Sequence, residues 1–187
     1  MSRYVIPHMQ QDGKNCWWWV IKMIKHYHRA LGRDDPYGID IAIKRMTLML
    51  KSPEGGLSSD ELTKLRNYNF SPVPLRMFGP DDCAAADLAS TLDRLGPLFC
   101  GVFTTQFSWK ANHALVISGA DYDKAKEEGI FWFNDPASET GPSQWPLDFL
   151  LMLTKFIDLD TGKMNTPTVT PLWYYSGPRL QIHPGEI

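Results

Sequence analysis

Residues 12–32 read DGKNCWWWVIKMIKHYHRALG. From Cys16 to about Leu31 the apolar positions Trp17, Val20, Ile21, Ile24 and Leu31 keep roughly the helical period, and Gly32 follows as a stop. A helix is therefore expected over 16–31, entered through the polar, Gly-containing turn at 12–15. Cys16 then stands at the helix N-terminus. The unpaired backbone N–H groups and the dipole there favour an anion, and the thiolate is the nucleophilic form of cysteine. A small buried cysteine beginning a Trp-rich helix is the plain alternative. Trp17, Trp18 and Trp19 cannot all be core, because consecutive helical positions point about 100° apart, so at least one faces a cleft or an interface.

Downstream, Glu61 follows Ser58 by three positions in a helix-start pattern, predicting a helix to about Tyr68. Another is predicted from Asp81 or Asp82 to Leu95, stopped by Gly96-Pro97. The character then changes. Residues 97–104 (PLFCGVFT), 113–120 (HALVISGA) and 129–135 (GIFWFND) are short and rich in β-branched or aromatic residues, so they read as strands. The charged run DYDKAKEEG is a solvated turn joining the last two, which makes them a hairpin. Residues 146–157 look helical, and 171–176 (PLWYYS) form a closing strand. Helices first and an antiparallel sheet second is an α+β layout. It is read as one domain over 1–187, its helical part about 12–95 and its sheet part about 97–176.

Bulk properties narrow the function. The 187 residues carry a formal charge of −2 with no basic stripe, which gives no reason to expect nucleic acid. No stretch approaches the roughly 20 apolar residues that span a bilayer. The N-terminus lacks the apolar segment of a secretory signal, so a cytoplasmic location is expected, or secretion without a cleaved signal peptide. Cys16, Cys83 and Cys100 are too few and scattered for a disulfide framework or a zinc site. No metal and no cofactor is expected. Cys83, in the first turn of its predicted helix, is the one rival nucleophile by the same terminus logic. His26 and His28 are two apart on a helix and make a poor metal pair.

Three further residues fit a thiol at Cys16. His113 opens an apolar strand, where it can either satisfy a backbone carbonyl or face the helix N-terminus and take a proton from the thiol. Asp135, before Pro136, ends the strand paired with the one His113 opens, so the hairpin brings a carboxylate to the imidazole. Asn134 is its rival, but alternation lets only one of two neighbours face His113. Gln10, six positions before Cys16, offers a side-chain amide for an oxyanion, with Gln11 as competitor one register shorter.

The pattern Gln10-x5-Cys16-Trp17 opening a helix, then His113 on a strand, then Asp135-Pro136 after a hairpin, resembles the papain-like cysteine peptidases over roughly residues 4–140. Within that clan it is similar to the compact bacterial branches, the C39-like and AvrRpt2-type peptidases. It departs from papain and the cathepsins in having Gly13-Lys14-Asn15 before the cysteine, and only 97 positions from Cys16 to His113. The resemblance implies a papain-like fold: an N-terminal helical subdomain packed on an antiparallel sheet, with the active cleft between them. It implies Cys16 as nucleophile, His113 as base, Asp135 as orienting acid and Gln10 as oxyanion donor, acting on a protein or peptide substrate. A bacterial effector or toxin held by an immunity or inhibitor protein fits such an enzyme, as does a housekeeping protease. A deamidase or transglutaminase would use the same residues, and a catalytically inert peptide-binding module is the non-enzyme alternative.

Overall fold

A computed structural model of the chain describes residues 2–11, 16–31, 62–73, 84–102, 113–153 and 171–177. The first helix, α1, runs Cys16–Ala30. Trp17, Val20, Ile21 and Ile24 form its buried stripe, joined by Met23 and His28, as the helical period dictates. Of the three tryptophans only Trp17 is core. Trp18 and Trp19 are half-buried, and the Lys22 ammonium lies 5.3 Å and 4.1 Å from their ring centres. That contact lets a cation shelter two half-exposed aromatic faces.

A short 3-10 helix, Thr63–Tyr68, follows. The Ser58–Glu61 helix start and residues 81–83 lie outside the described residues. The second helix, α2, spans Ala84–Leu95 and stops where expected. Gly96 adopts φ +82°, the left-handed conformation open to glycine, and its N–H donates to Leu92 O at 2.7 Å. This closes the last turn.

Seven strands among the described residues make one antiparallel sheet. They are β1 (Ser2–Arg3), β2 (Phe70–Pro72), β3 (Leu98–Val102), β4 (His113–Asp123), β5 (Glu128–Asn134), β6 (Ser143–Pro146) and β7 (Leu172–Tyr175). Their order is β2-β7-β3-β4-β5-β6. The long β4 is the spine. One flank pairs with β5, and the other pairs with β3 and then with β1, Ser2 lying opposite Ala120. A third helix, α3 (Leu147–Leu153), follows β6.

Strands β3, β5 and β7 and α3 fall where the sequence reading puts them, except that residues 103–104 and 154–157 lie outside the described residues. The hairpin turn is shorter than expected, 124–127, because Asp121, Tyr122 and Asp123 extend β4 and pair with Ile130, Gly129 and Glu128. Strands β1, β2 and β6 were not expected. Two to four residues are too short to show a period-two pattern, and their pairing is decided by the strands they meet. The sheet therefore draws β1 and β2 from the N-terminal half of the chain. Pro146 is tolerated because β6 is an edge.

Helices cover both faces of the sheet. On one side α1 packs with Phe70, Phe99, Ala114, Val116, Trp173 and Tyr175. On the other, Ala85, Leu88 and Leu92 of α2 and Leu147, Leu150 and Leu151 of α3 pack with Cys100, Leu115, Ile117, Phe131 and Phe133. This is why β3 and the first eight residues of β4 are buried at every position rather than at alternate ones. Each fully buried Leu, Phe or Ile side chain contributes about 1.5–3 kcal/mol of transfer free energy.

Candidate active site

Three secondary-structure ends converge. Cys16 is the first residue of α1 and His113 the first of β4, while Asp135 directly follows β5. Register explains the third. Asn134 sits opposite Val116, so the chain leaving β5 runs beside the start of β4. There His113 Nε2 and Asp135 Oδ1 are 2.7 Å apart. A charge-assisted hydrogen bond of that length fixes both ring plane and tautomer: Nε2–H donates to the carboxylate. Nδ1 is then the ring nitrogen left to meet a sulfur, and His113 also hydrogen-bonds Cys16 across the sheet–helix seam. All three residues are buried.

The electrostatics follow from that geometry. Burial by itself pushes the His113 imidazole down. No single partner offsets that burial, but the hydrogen bonds to Asp135 and Cys16 and the electrostatic attraction of the same two groups together outweigh it. The net result lifts His113 from 6.5 to about 9. An imidazolium held between a sulfur and a carboxylate is ready to protonate a leaving group.

Asp135 is itself held. Its Oδ1 also accepts the Ala137 N–H at 2.8 Å, and its main-chain carbonyl accepts the Ser138 N–H at 3.0 Å. Asn134, the rival third member, is 1% exposed, and its Nδ2 has no hydrogen-bond partner among the described residues. It is Asp135 that touches the imidazole.

The glutamines ride on the extended strap that leads from β1 toward α1. The strap is tied to the sheet by Tyr4 N–H to Ser118 O at 2.7 Å and to the loop after β5 by Gln11 N–H to Pro136 O at 2.8 Å. Tyr4 also donates its hydroxyl to Leu92 O at 2.8 Å. Gln10 is exposed and Gln11 half-buried, with the Gln11 Oε1 buried and without a partner among the described residues. Residues 12–15, just before Cys16, lie outside the described residues.

The other cysteines separate cleanly. Cys100 is fully buried in β3, and burial pushes its thiol far up, so it stays protonated and inert. Cys83 lies outside the described residues. His28 is a core residue set edge-to-face on Tyr27 and tilted against Tyr175, while His26 is exposed. Among the described residues no group of three His, Cys, Asp or Glu side chains could hold a metal, and no helix is long and apolar enough to cross a membrane. The sequence reading missed the main-chain donors of Ala137 and Ser138 and the strap's backbone tie to Pro136. Backbone groups leave no mark in residue identity.

A family model described as papain-like cysteine protease AvrRpt2 matches residues 2–145, which takes in the strap, α1, the hairpin and the loop after Asp135. No curated protein matches the chain at a significant level. The helices, the antiparallel sheet and that match agree, and the chain belongs to the AvrRpt2 family of papain-like cysteine proteases.

Proposed function

We propose that this papain-like cysteine protease cleaves peptide bonds through Cys16 as nucleophile, His113 as general base and acid, and Asp135 as orienting carboxylate. Gln10 is the proposed oxyanion donor. The observation that carries the reading is the buried chain of hydrogen bonds running from Cys16 through His113 to Asp135.

In the proposed sequence the Cys16 thiolate attacks the carbonyl carbon and the carbonyl π electrons move to oxygen. The oxyanion is held by the Cys16 main-chain N–H at the helix N-terminus and by the Gln10 side-chain amide. As the C–N bond breaks, His113 gives its proton to the departing amine, leaving a thioester on Cys16. His113, now neutral, takes a proton from water. The hydroxide attacks the thioester, and the carboxylic acid leaves as the thiolate and imidazolium re-form. Spacing supports Gln10, six positions before Cys16, and so does its exposure, since an oxyanion donor has to face an open cleft.

An effector or toxin role, with a protein or peptide substrate and an immunity or inhibitor protein as partner, belongs to the same proposal. Its support is the family likeness. Its test is growth on expression: the wild-type chain slows the host and Cys16→Ala does not.

The chemical test is Cys16→Ala. Peptidase activity disappears, and so does the rapid iodoacetamide labelling at near-neutral pH that belongs to Cys16. Full activity in that variant would overturn the assignment.

A further inference from the structure

Asp135 lies beyond the end of β5, so sheet hydrogen bonds do not hold it. Its carboxylate is oriented by the Ala137 N–H on Oδ1, and its carbonyl by the Ser138 N–H. Wherever the backbone at 137–138 goes, the carboxylate follows. That backbone is secured from the strap. His8 Nε2 lies 2.9 Å from Ser138 O, and because a carbonyl only accepts, Nε2 carries the hydrogen and donates. Three positions on from His8, the Gln11 N–H donates to Pro136 O.

The loop beyond is stiff in its own right. Ser138 Oγ and Thr140 Oγ1 are 3.0 Å apart, and the Thr140 N–H donates to Ser138 Oγ. Gly141 takes φ +81°, the left-handed conformation that glycine adopts without strain. His8 Nδ1 is buried and has no hydrogen-bond partner among the described residues. Of the two ties between strap and loop, His8 makes the one that uses a side chain.

We propose that His8 is a positioning residue for the reaction, a latch from the strap onto Ser138 O that sets where the Asp135 carboxylate meets His113. The inference rests on the Cys16–His113–Asp135 reading. The same latch holds the strap that carries Gln10 against the loop that carries Asp135. Together with the Gln11–Pro136 bond it sets the spacing between the oxyanion donor and the orienting acid, and a displacement of about 1 Å in such a spacing costs on the order of 100-fold in rate.

The experiment follows alkylation of Cys16 by iodoacetamide against pH, read by intact-protein mass spectrometry with Cys16→Ala as background. His113 ring-proton NMR titration runs in parallel, and neither measurement needs the natural substrate. In His8→Ala the carboxylate drifts from the imidazole, so the His113 midpoint and the alkaline inflection of alkylation both move to lower pH. His8→Gln restores both, because its amide nitrogen lies the same number of bonds from Cα as imidazole Nε2. If His8→Ala fails to fold, His8→Leu, which fills the space without a donor, replaces it.

An unmoved His113 midpoint in the donor-less variant, or no recovery in His8→Gln, overturns the latch. Asp135→Asn separates the two failures. If it shifts the midpoint while His8→Ala does not, only the latch falls; if neither shifts it, the triad reading falls first.

Discussion

His113 and Asp135 are 22 positions apart in the chain, yet Nε2 of one lies 2.7 Å from Oδ1 of the other. They meet because β4 and β5 are antiparallel neighbours, so the start of one strand lies beside the end of the other. A tight turn at 124–127 closes the pair. The Ala125 N–H donates to Asp123 Oδ1 at 3.0 Å, and Glu127 has φ 55°. A local hairpin thus positions the acid–base pair, and only the sulfur has to arrive from far away in sequence.

Substituting Asp135 separates charge from hydrogen bonding. In Asp135→Asn an amide oxygen can still accept the Nε2 hydrogen, so activity falls by only about tenfold, while Asp135→Ala costs roughly 100-fold or more. Since the Asp135 bond and charge raise His113, both variants move the alkaline limb of kcat/KM to lower pH. The pH–rate profile reads this directly. A limb that stays in place would remove Asp135 from the site.

The oxyanion donor is tested by the two glutamines in parallel. Gln10→Ala lowers kcat by about 100- to 1000-fold with little change in KM, and Gln11→Ala stays near wild type. Steady-state kinetics on a fluorogenic peptide decides it. If the loss falls on Gln11→Ala instead, the donor is the half-buried neighbour.

Stability carries a pH signature of its own. His113 is raised from 6.5 to about 9 in the folded chain, so the folded state binds the proton more tightly than the unfolded one. That stabilisation is fully present below about pH 6.5 and is lost as pH rises through about 9. Urea-unfolding midpoints measured over pH 6 to 10 therefore fall across this window, and Asp135→Ala flattens the fall.

Packing on the α1 face of the sheet is tested at Trp173, which is 1% exposed and sits opposite both Phe99 and Pro72 across the strands. Trp173→Ala costs about 3–5 kcal/mol. Tyr122→Ala, at a side chain 41% exposed in β4, changes stability by no more than about 0.5 kcal/mol. Chemical denaturation of the two variants side by side makes the comparison.

Cys16, His113 and Asp135 stood out in the sequence because each was read at the end of a strongly patterned element. Cys16 opens a run with clear helical period, His113 opens an unbroken apolar strand, and Asp135 closes another before proline. The glycine stop at Gly96 was legible for a related reason: a left-handed residue is a local requirement with a chemical signature. The short strands β1, β2 and β6 left no such trace, and neither did the strap's ties.

What the sequence determined by itself, then, were the features set by local periodicity: α1, α2 and α3, the long strands and the hairpin, though not the last residues of β4 and β5. What only the tertiary structure decided was everything set by partners far along the chain. Those features are the sheet order, the placing of α1 on one face and α2 and α3 on the other, and the pinning of the 135–138 loop by His8 and Gln11. The physical reason is that periodicity is written in side chains a few residues apart. Long-range hydrogen bonds are made largely by backbone groups, which every residue type carries alike.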